Sequence, residues 1–327
     1  MFYERLEGKI KCRLCNHFCT IEEGKRGICA VRENRAGSLY SLVYGKLVSA
    51  AVDPIEKKPF FHFYPGSEAY SIASIGCNFR CAWCQNWEIS QYSKRCRDII
   101  GMETAPEEVV EVAKHFGCRS IAYTYTEPTI FMEYALDIMK LARAAGIKNV
   151  FVTNGYMSEE ALREAARYLD ASNIDLKSFS DETYEKRCGA RLEPVLDSIR
   201  LHKELGIWVE VTTLVIPDVN DKEEELRAIA KFLKSVGGEI PWHITGFRPE
   251  YEMLEGYPTP ELTLFRAREI GKSEGLRYVY APFEGGGNTF CYSCGSLLVL
   301  RDSFSICENR MEQQKCCNCG AEIDGRF

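Results

Sequence analysis

Residues 69–90 read AYSIASIGCNFRCAWCQNWEIS. The first seven are an apolar, strand-like run, and cysteines follow at 77, 81 and 84 on a C-x3-C-x2-C spacing. A strand that runs straight into a cysteine loop puts the thiols in a strand-to-helix connection. The rest of the chain repeats the strand-then-helix alternation. PEEVVEVAKHFG (106–117) predicts a helix opened by a capping box of Thr104 with Glu107, and Ser120 to Thr124 a short strand. FMEYALDIMKLARAAG (131–146) is a second helix, Asn149 to Thr153 a strand, and SEEALREAARYL (158–169) a helix behind a Ser158 cap. Asn173 to Leu176 precedes the helix at 193–206; Ile207 to Ile216 precedes a helix at 221–237, capped by Asp221 with Glu224. Trp242 to Gly246 precedes the last helix at 260–275, and Leu276 to Ala281 reads as a seventh strand.

Strand–helix units of roughly 25–35 residues have the size of βαβ crossovers, so the sheet is expected to be parallel and curled into a partial (β/α)6 TIM-like barrel. This α/β core should occupy residues 69–283, behind a cysteine-rich metal-binding segment at 1–68 and ahead of a zinc-ribbon-like segment at 284–327. In such barrels the chemistry lies at the C-terminal ends of the strands, which makes those ends a search list.

The bulk numbers narrow the partners. With 46% hydrophobic and 27% charged residues the chain is ordinary for a soluble protein, and a net charge of -6 argues against nucleic acid or an anionic membrane as a partner. The opening MFYERLEGKIKC carries early charges and no apolar run, so a cytoplasmic location is expected, where thiols stay reduced. Sixteen cysteines there point to metal rather than disulfides.

The cysteines fall into groups. Three thiols packed on one short loop favour a polynuclear iron–sulfur centre or a soft metal over a three-ligand zinc site or plain packing. On a cubane [4Fe–4S] cluster, three thiolates leave one iron without a protein ligand, and a small chelating molecule can bind there. Cys12, Cys15, Cys19 and Cys29 (C-x2-C-x3-C-x9-C) form a complete set for zinc or for a second cluster, without needing His17. CYSCG and CCNCG supply Cys291, Cys294, Cys316 and Cys319 as two knuckles, for zinc or an auxiliary cluster, with Cys307 and Cys317 left over. Cys188, in the loop after the fourth strand, either faces substrate or packs, and Cys96 and Cys118 are read as packing residues.

The loop of Cys77, Cys81 and Cys84, with Trp83 as the aromatic before the last cysteine, resembles that of the radical S-adenosylmethionine (SAM) superfamily. The resemblance implies that a reduced [4Fe–4S] cluster cleaves SAM to a 5′-deoxyadenosyl radical, which takes a hydrogen atom from a substrate. An oxidised cluster with three thiolates carries -1 and complements the sulfonium. The strand ends then supply candidate SAM contacts. Glu127 in AYTYTEP is placed for the ammonium; Tyr125-Thr126-Glu127 stands where the superfamily has a Gly-Gly-Glu-like motif. Thr153 and Asn154 can bond the methionine end while Gly155 relieves the turn; the pyruvate formate-lyase-activating branch has an acid where this chain has Val152. Asp175 and Lys177 face one side at i and i+2 and are expected to hold ribose and carboxylate, or else to form an internal ion pair. Thr212 is a further polar candidate, and His243, inside the barrel near its rim, is either a satisfied core histidine or, as the histidine of the activating branch at this place implies, a member of the set.

Nearly end to end, the chain is similar to the AmmeMemoRadiSam system radical SAM proteins, relatives of the pyruvate formate-lyase-activating enzymes. That resemblance implies a low-potential donor such as ferredoxin or flavodoxin, and Memo-like and AMMECR-type proteins as partners. It leaves the hydrogen-atom donor open between a protein glycine and other substrates, and an iron–sulfur carrier or redox sensor without SAM chemistry is the competing class. Lys57, Lys58 and His62 in DPIEKKPFFHFYPGS either cover the site or dock the N-terminal segment.

Overall fold

The computed structural model of the chain describes residues 1–327. Its centre is one eight-stranded sheet. In chain order the strands are β1 (Ser49–Pro54), β2 (Glu68–Ala73), β3 (Ser120–Tyr123), β4 (Lys148–Thr153), β5 (Ala171–Asp175), β6 (Trp208–Val215), β7 (Trp242–Gly246) and β8 (Val279–Tyr280). Neighbours in space follow the same order. Strands β2 to β8 pair in parallel, and β1 pairs with β2 antiparallel, so the sheet is open, with β1 and β8 as its edges. A partial rather than closed barrel results. Every residue of β2 and β3 after Glu68 is buried, as expected of parallel strands covered on both faces.

Helices α1 (Pro106–His115), α2 (Met132–Ala144), α3 (Glu159–Ala165), α4 (Glu193–Glu204), α5 (Glu223–Val236) and α6 (Glu261–Ser273) fill the crossovers. Their apolar stripes lie on the sheet; α5 buries Leu226, Ile229, Ala230 and Leu233 against the side that holds Val211 and Trp242. Ser158 caps α3 by accepting the Ala161 N–H at 3.2 Å.

Two other caps differ from expectation. Pro106 takes the first position of α1, so Ala105 is the cap residue and Glu108, not Glu107, accepts the backbone N–H of residue 105 at 2.8 Å. Helix α5 starts two residues after Asp221, whose carboxylate instead accepts the Asp218 N–H at 3.0 Å. The seventh parallel strand is only two residues long. The antiparallel edge β1 is an addition the alternation did not contain; it comes from the segment expected to stand apart as 1–68. Its pairing protects what would be an open sheet edge.

Around this sheet lie smaller pieces. Tyr3–Leu6, Lys9–Cys12 and Thr20–Glu22 form an N-terminal three-stranded sheet, and Thr289–Phe290, Leu297–Asp302 and Ser305–Asn309 a C-terminal one. No helix is long and apolar enough to cross a membrane.

Candidate active site at the strand ends

The loop after β2 carries Cys77, Cys81 and Cys84. Its backbone is fastened to the turn at 184–189: Arg80 N–H donates to the Cys188 carbonyl at 2.8 Å and Ala82 N–H to that of Arg187 at 2.9 Å. Lys94 Nζ donates to the Phe79 carbonyl at 2.6 Å, and Cys84 Sγ lies 3.2 Å from Ser90 Oγ. The thiols open onto a cavity of about 360 Å³ at the C-terminal ends of the strands. That size suits a small-molecule ligand.

Most residues singled out from the sequence converge there. Trp83, Thr126, Glu127, Thr153, Asn154, Asp175, Lys177 and Thr212 all line the same cavity as the three cysteines. Glu127 is fully buried and its carboxylate is already well served. Oε1 accepts from Thr129 N at 3.1 Å, Thr129 Oγ1 at 2.5 Å and Thr153 Oγ1 at 2.7 Å, and Oε2 accepts from Asn154 N at 2.8 Å. Burial pushes its pKa up against those donors. It therefore knits the ends of β3 and β4 together, and only Oε2 keeps spare accepting capacity. Gly155 follows at φ +68°, where a Cβ would stand 2.8 Å from Ile174 Cγ2. Thr126 Oγ1 is tied to the Ser74 carbonyl at 2.8 Å and Thr212 Oγ1 to Asn173 Oδ1 at 2.8 Å.

Asp175 and Lys177 form the internal pair that was one of their two expected states, with Nζ 2.8 Å from Oδ2. Burial opposes the charge on Lys177, but Asp175 and the thiols of Cys81 and Cys188 outweigh it and hold the pKa well above the ordinary lysine value. A permanent cation thus stands beside the thiols.

His243 is a correction. It is the second residue of β7, below the rim made by Thr245 and Gly246, and it does not line the cavity. Its Nε2 bonds to Glu210 Oε2 at 2.6 Å. Glu210, an acid inside the apolar run of β6, also accepts the N–H groups of Phe61 (3.0 Å) and His62 (2.9 Å) and Trp208 Nε1–H (3.1 Å). Burial raises its pKa, yet His243 and the other donors win and keep it below the usual range. The sequence reading missed this hub, although one acid in WVEVTTLV was a readable signal.

Two further groups were undecided or missed. Cys188 is fully buried and packs against Cys81, behind the cavity wall rather than in it. Lys57 and Lys58 do line the cavity mouth; Lys58 is buried, paired with Asp53 at 2.8 Å, and its Nζ lies 4.1 Å from the Tyr125 ring centre. His62 docks the C-terminal segment, through Asp324 O at 2.6 Å, rather than the N-terminal one.

At the two ends of the chain the flanking cysteines differ. The four Sγ atoms of Cys291, Cys294, Cys316 and Cys319 lie within 4.8 Å of one another and can hold a metal ion. Cys12, Cys15, Cys19 and Cys29 surround a separate small pocket.

The comparisons agree with this geometry. The family described as the Radical SAM superfamily matches residues 71–233, which run from β2 into α5 and include the three-cysteine loop. The chain belongs to the radical SAM superfamily. An uncharacterised protein of Methanocaldococcus jannaschii is 47% identical over 99% of this chain and 98% of its own length. The pyruvate formate-lyase-activating enzyme of Clostridium pasteurianum is 23% identical over 55% of this chain and 76% of its own. The crystal structure of a radical SAM methyltransferase from Sphaerobacter thermophilus shares the fold, with a TM-score of 0.52 at 16% identity, over 72% of this chain and 71% of the other. Radical SAM membership makes the chain an enzyme and implies a [4Fe–4S] cluster and SAM. The residues present fit that requirement. Three thiols open together onto one cavity and no fourth cysteine lines it, which is the donor set of a cluster with one iron left open, and the Lys177 cation stands beside them to offset its negative charge.

Proposed function

We propose that the cavity at the strand ends binds SAM beside a [4Fe–4S] cluster held by Cys77, Cys81 and Cys84, and that the protein abstracts a hydrogen atom from its substrate. The observation that carries this reading is that three thiols and the polar groups of four successive strand ends share one cavity of about 360 Å³. When reduced, the cluster would supply the electron that cleaves the sulfonium C–S bond and releases the 5′-deoxyadenosyl radical.

The chain's own residues then have separable tasks. Lys177 offers a permanent cation to the SAM carboxylate, and Asp175, released from it, accepts from ribose hydroxyls. Oε2 of Glu127 and the side chains of Asn154 and Thr126 receive the ammonium end. Thr153 keeps Glu127 in place, and Thr212 backs the pocket floor through Asn173. Trp83 closes one wall and excludes water from the reacting end. His243 has no part in this cavity and acts through the packing around Glu210.

A low-potential ferredoxin or flavodoxin in the cytoplasm would reduce the cluster, and zinc would fill the C-terminal knuckles. Memo-like and AMMECR-type proteins are our candidates for partners. A second reading, activation of a glycyl-radical enzyme, draws on the likeness to an activating enzyme over about half the chain; its substrate would be a protein glycine. The experiment is anaerobic reconstitution with dithionite and SAM. The proposed function expects 5′-deoxyadenosine from the wild type and none from Cys77→Ala. Equal yields from both would refute it, leaving an iron–sulfur carrier as the alternative.

A further inference from the structure

We propose that Cys12, Cys15, Cys19 and Cys29 hold a second iron–sulfur cluster of the [4Fe–4S] type, packed directly behind the Cys77 loop. The first support is spacing. Four thiolates around one zinc ion at about 2.3 Å sit about 3.8 Å apart. The C-terminal knuckles have that spacing, with Cys291 Sγ 3.7 Å from Cys319 Sγ and Cys294 Sγ 3.6 Å from Cys316 Sγ. Neither the N-terminal thiols nor those of Cys77, Cys81 and Cys84 are gathered into such a single-ion group. Thiolates that bind different irons of one cluster are held farther apart than those sharing one ion. By spacing, the N-terminal group belongs with the cluster loop and not with the knuckles; this comparison rests on the proposed role of Cys77, Cys81 and Cys84.

The second support is independent of the thiols. Two side chains that line the N-terminal pocket are almost wholly buried and carry an N–H with no partner: Arg32 Nε, at 2% exposure, and Asn78 Nδ2, at 1%. Their remaining polar atoms are engaged. Arg32 grips Glu133 through both terminal nitrogens, and Asn78 Oδ1 accepts from Asn154 Nδ2 at 2.8 Å. An unpaired buried donor costs about 1–3 kcal/mol, so two on side chains that line one thiol pocket call for acceptors there. The bridging sulfides and thiolates of a cluster are such acceptors, and a guanidinium also offsets their negative charge.

The third support is position. Gly76 packs so closely on the N-terminal segment that a Cβ would lie 3.2 Å from the Cys29 carbonyl and 2.7 Å from Val31 Cγ1. His17 Nε2 meets the Asn78 carbonyl at 2.9 Å. Asn78 thus stands between the groups, with its Oδ1 3.8 Å from Cys77 Sγ and its residue among those lining the N-terminal pocket. Two clusters so placed are magnetic neighbours.

The test is metal and sulfide analysis with electron paramagnetic resonance on the full chain, reconstituted anaerobically with iron and sulfide. The wild type should carry about eight irons and the Cys77→Ala/Cys81→Ala/Cys84→Ala variant about four, with a reduced-state signal that SAM does not alter. Cys12→Ser/Cys29→Ser should keep about four irons and lose that signal, and the two signals should broaden each other only in the wild type. About four irons with about two zinc ions in the wild type, and an iron-free triple variant, would overturn the inference. Failure of the proposed function has a different signature, in which iron is retained in both groups and no signal responds to SAM. Because the wild-type count decides by itself, an unstable variant does not rescue the idea.

Discussion

The C-terminal knuckles and the Cys77 loop use the same side chain to opposite ends. In the knuckles four thiols converge within 4.8 Å, and two of them, Cys291 and Cys316, are buried with Tyr278, Tyr280 and Leu298. At the loop only three thiols reach the cavity, Cys188 lying behind its wall, and the rest of the lining includes Thr126, Glu127, Asn154, Asp175 and Lys177. The first arrangement can satisfy a metal ion completely, with no position left open. The second leaves a ligand position open and surrounds it with polar and charged groups, which the proposed function assigns to an amino acid and a ribose. Incompleteness, not cysteine content, marks the place where chemistry can occur.

The largest effects should separate these regions. Cys81→Ala should lower 5′-deoxyadenosine formation by more than about a thousandfold, to background, because removing a ligand removes the electron source. Cys294→Ser should cost less than about tenfold per reconstituted chain but lower the thermal midpoint by about 5 °C. Equal activity losses in the two variants would erase the distinction.

Next come the two buried carboxylates. Each accepts four hydrogen bonds, but Glu127 lines the cavity and Glu210 lies below it. Glu127→Gln and Glu210→Gln should each destabilise by about 2–3 kcal/mol in urea titrations, since an amide N–H₂ must face donors. Only Glu127→Gln should also weaken SAM binding. Lys177→Met should weaken SAM binding by about tenfold, read by calorimetry, while leaving the iron content unchanged.

The smallest effect concerns acid stability away from either site. Burial lowers the pKa of His202 to about 4; Nδ1–H donates to the Ser198 carbonyl at 2.7 Å and Nε2 has no partner. A histidine depressed in the fold is protonated first in the unfolded chain, so stability is lost as pH falls from about 6.5 towards 4. His202→Gln should therefore reduce the loss between pH 7 and 5.5 by about 1 kcal/mol, measured as the difference in urea midpoints. An unchanged difference would mean that His202 ionises normally.

What could be read in advance was local. The cysteine loop, the strand-end runs TEP, TNG and IDLK, and the knuckles are contiguous in sequence, so their chemistry survives without coordinates. Contacts between distant segments were not legible. Strand β1 has no alternation clear enough to announce itself, and Lys57 and Lys58 reach the cavity only because β1 pairs with β2. Cys188 meets Cys81 across 107 residues, 188 minus 81, through a turn that no period predicts. The strand of His243 is legible in the sequence, but its bond to Glu210 on the neighbouring strand, which holds the ring below the rim, is not. The caps slipped by a residue or two because Pro106 set the start of one helix and Asp221 served a turn instead.

The segment at 55–66 has a broader consequence. It lines the cavity mouth with Lys57 and Lys58, accepts the guanidinium of Arg301 at the Phe61 carbonyl (3.0 Å), and exchanges hydrogen bonds with the last residues of the chain, Tyr64 N to Arg326 O (2.6 Å) and Arg326 N to His62 O (2.7 Å). The tail is therefore a latch on the doorway. Deleting it to obtain a minimal catalytic core would slacken the jamb as well, so the molecule cannot be shortened from that end without cost to its entrance.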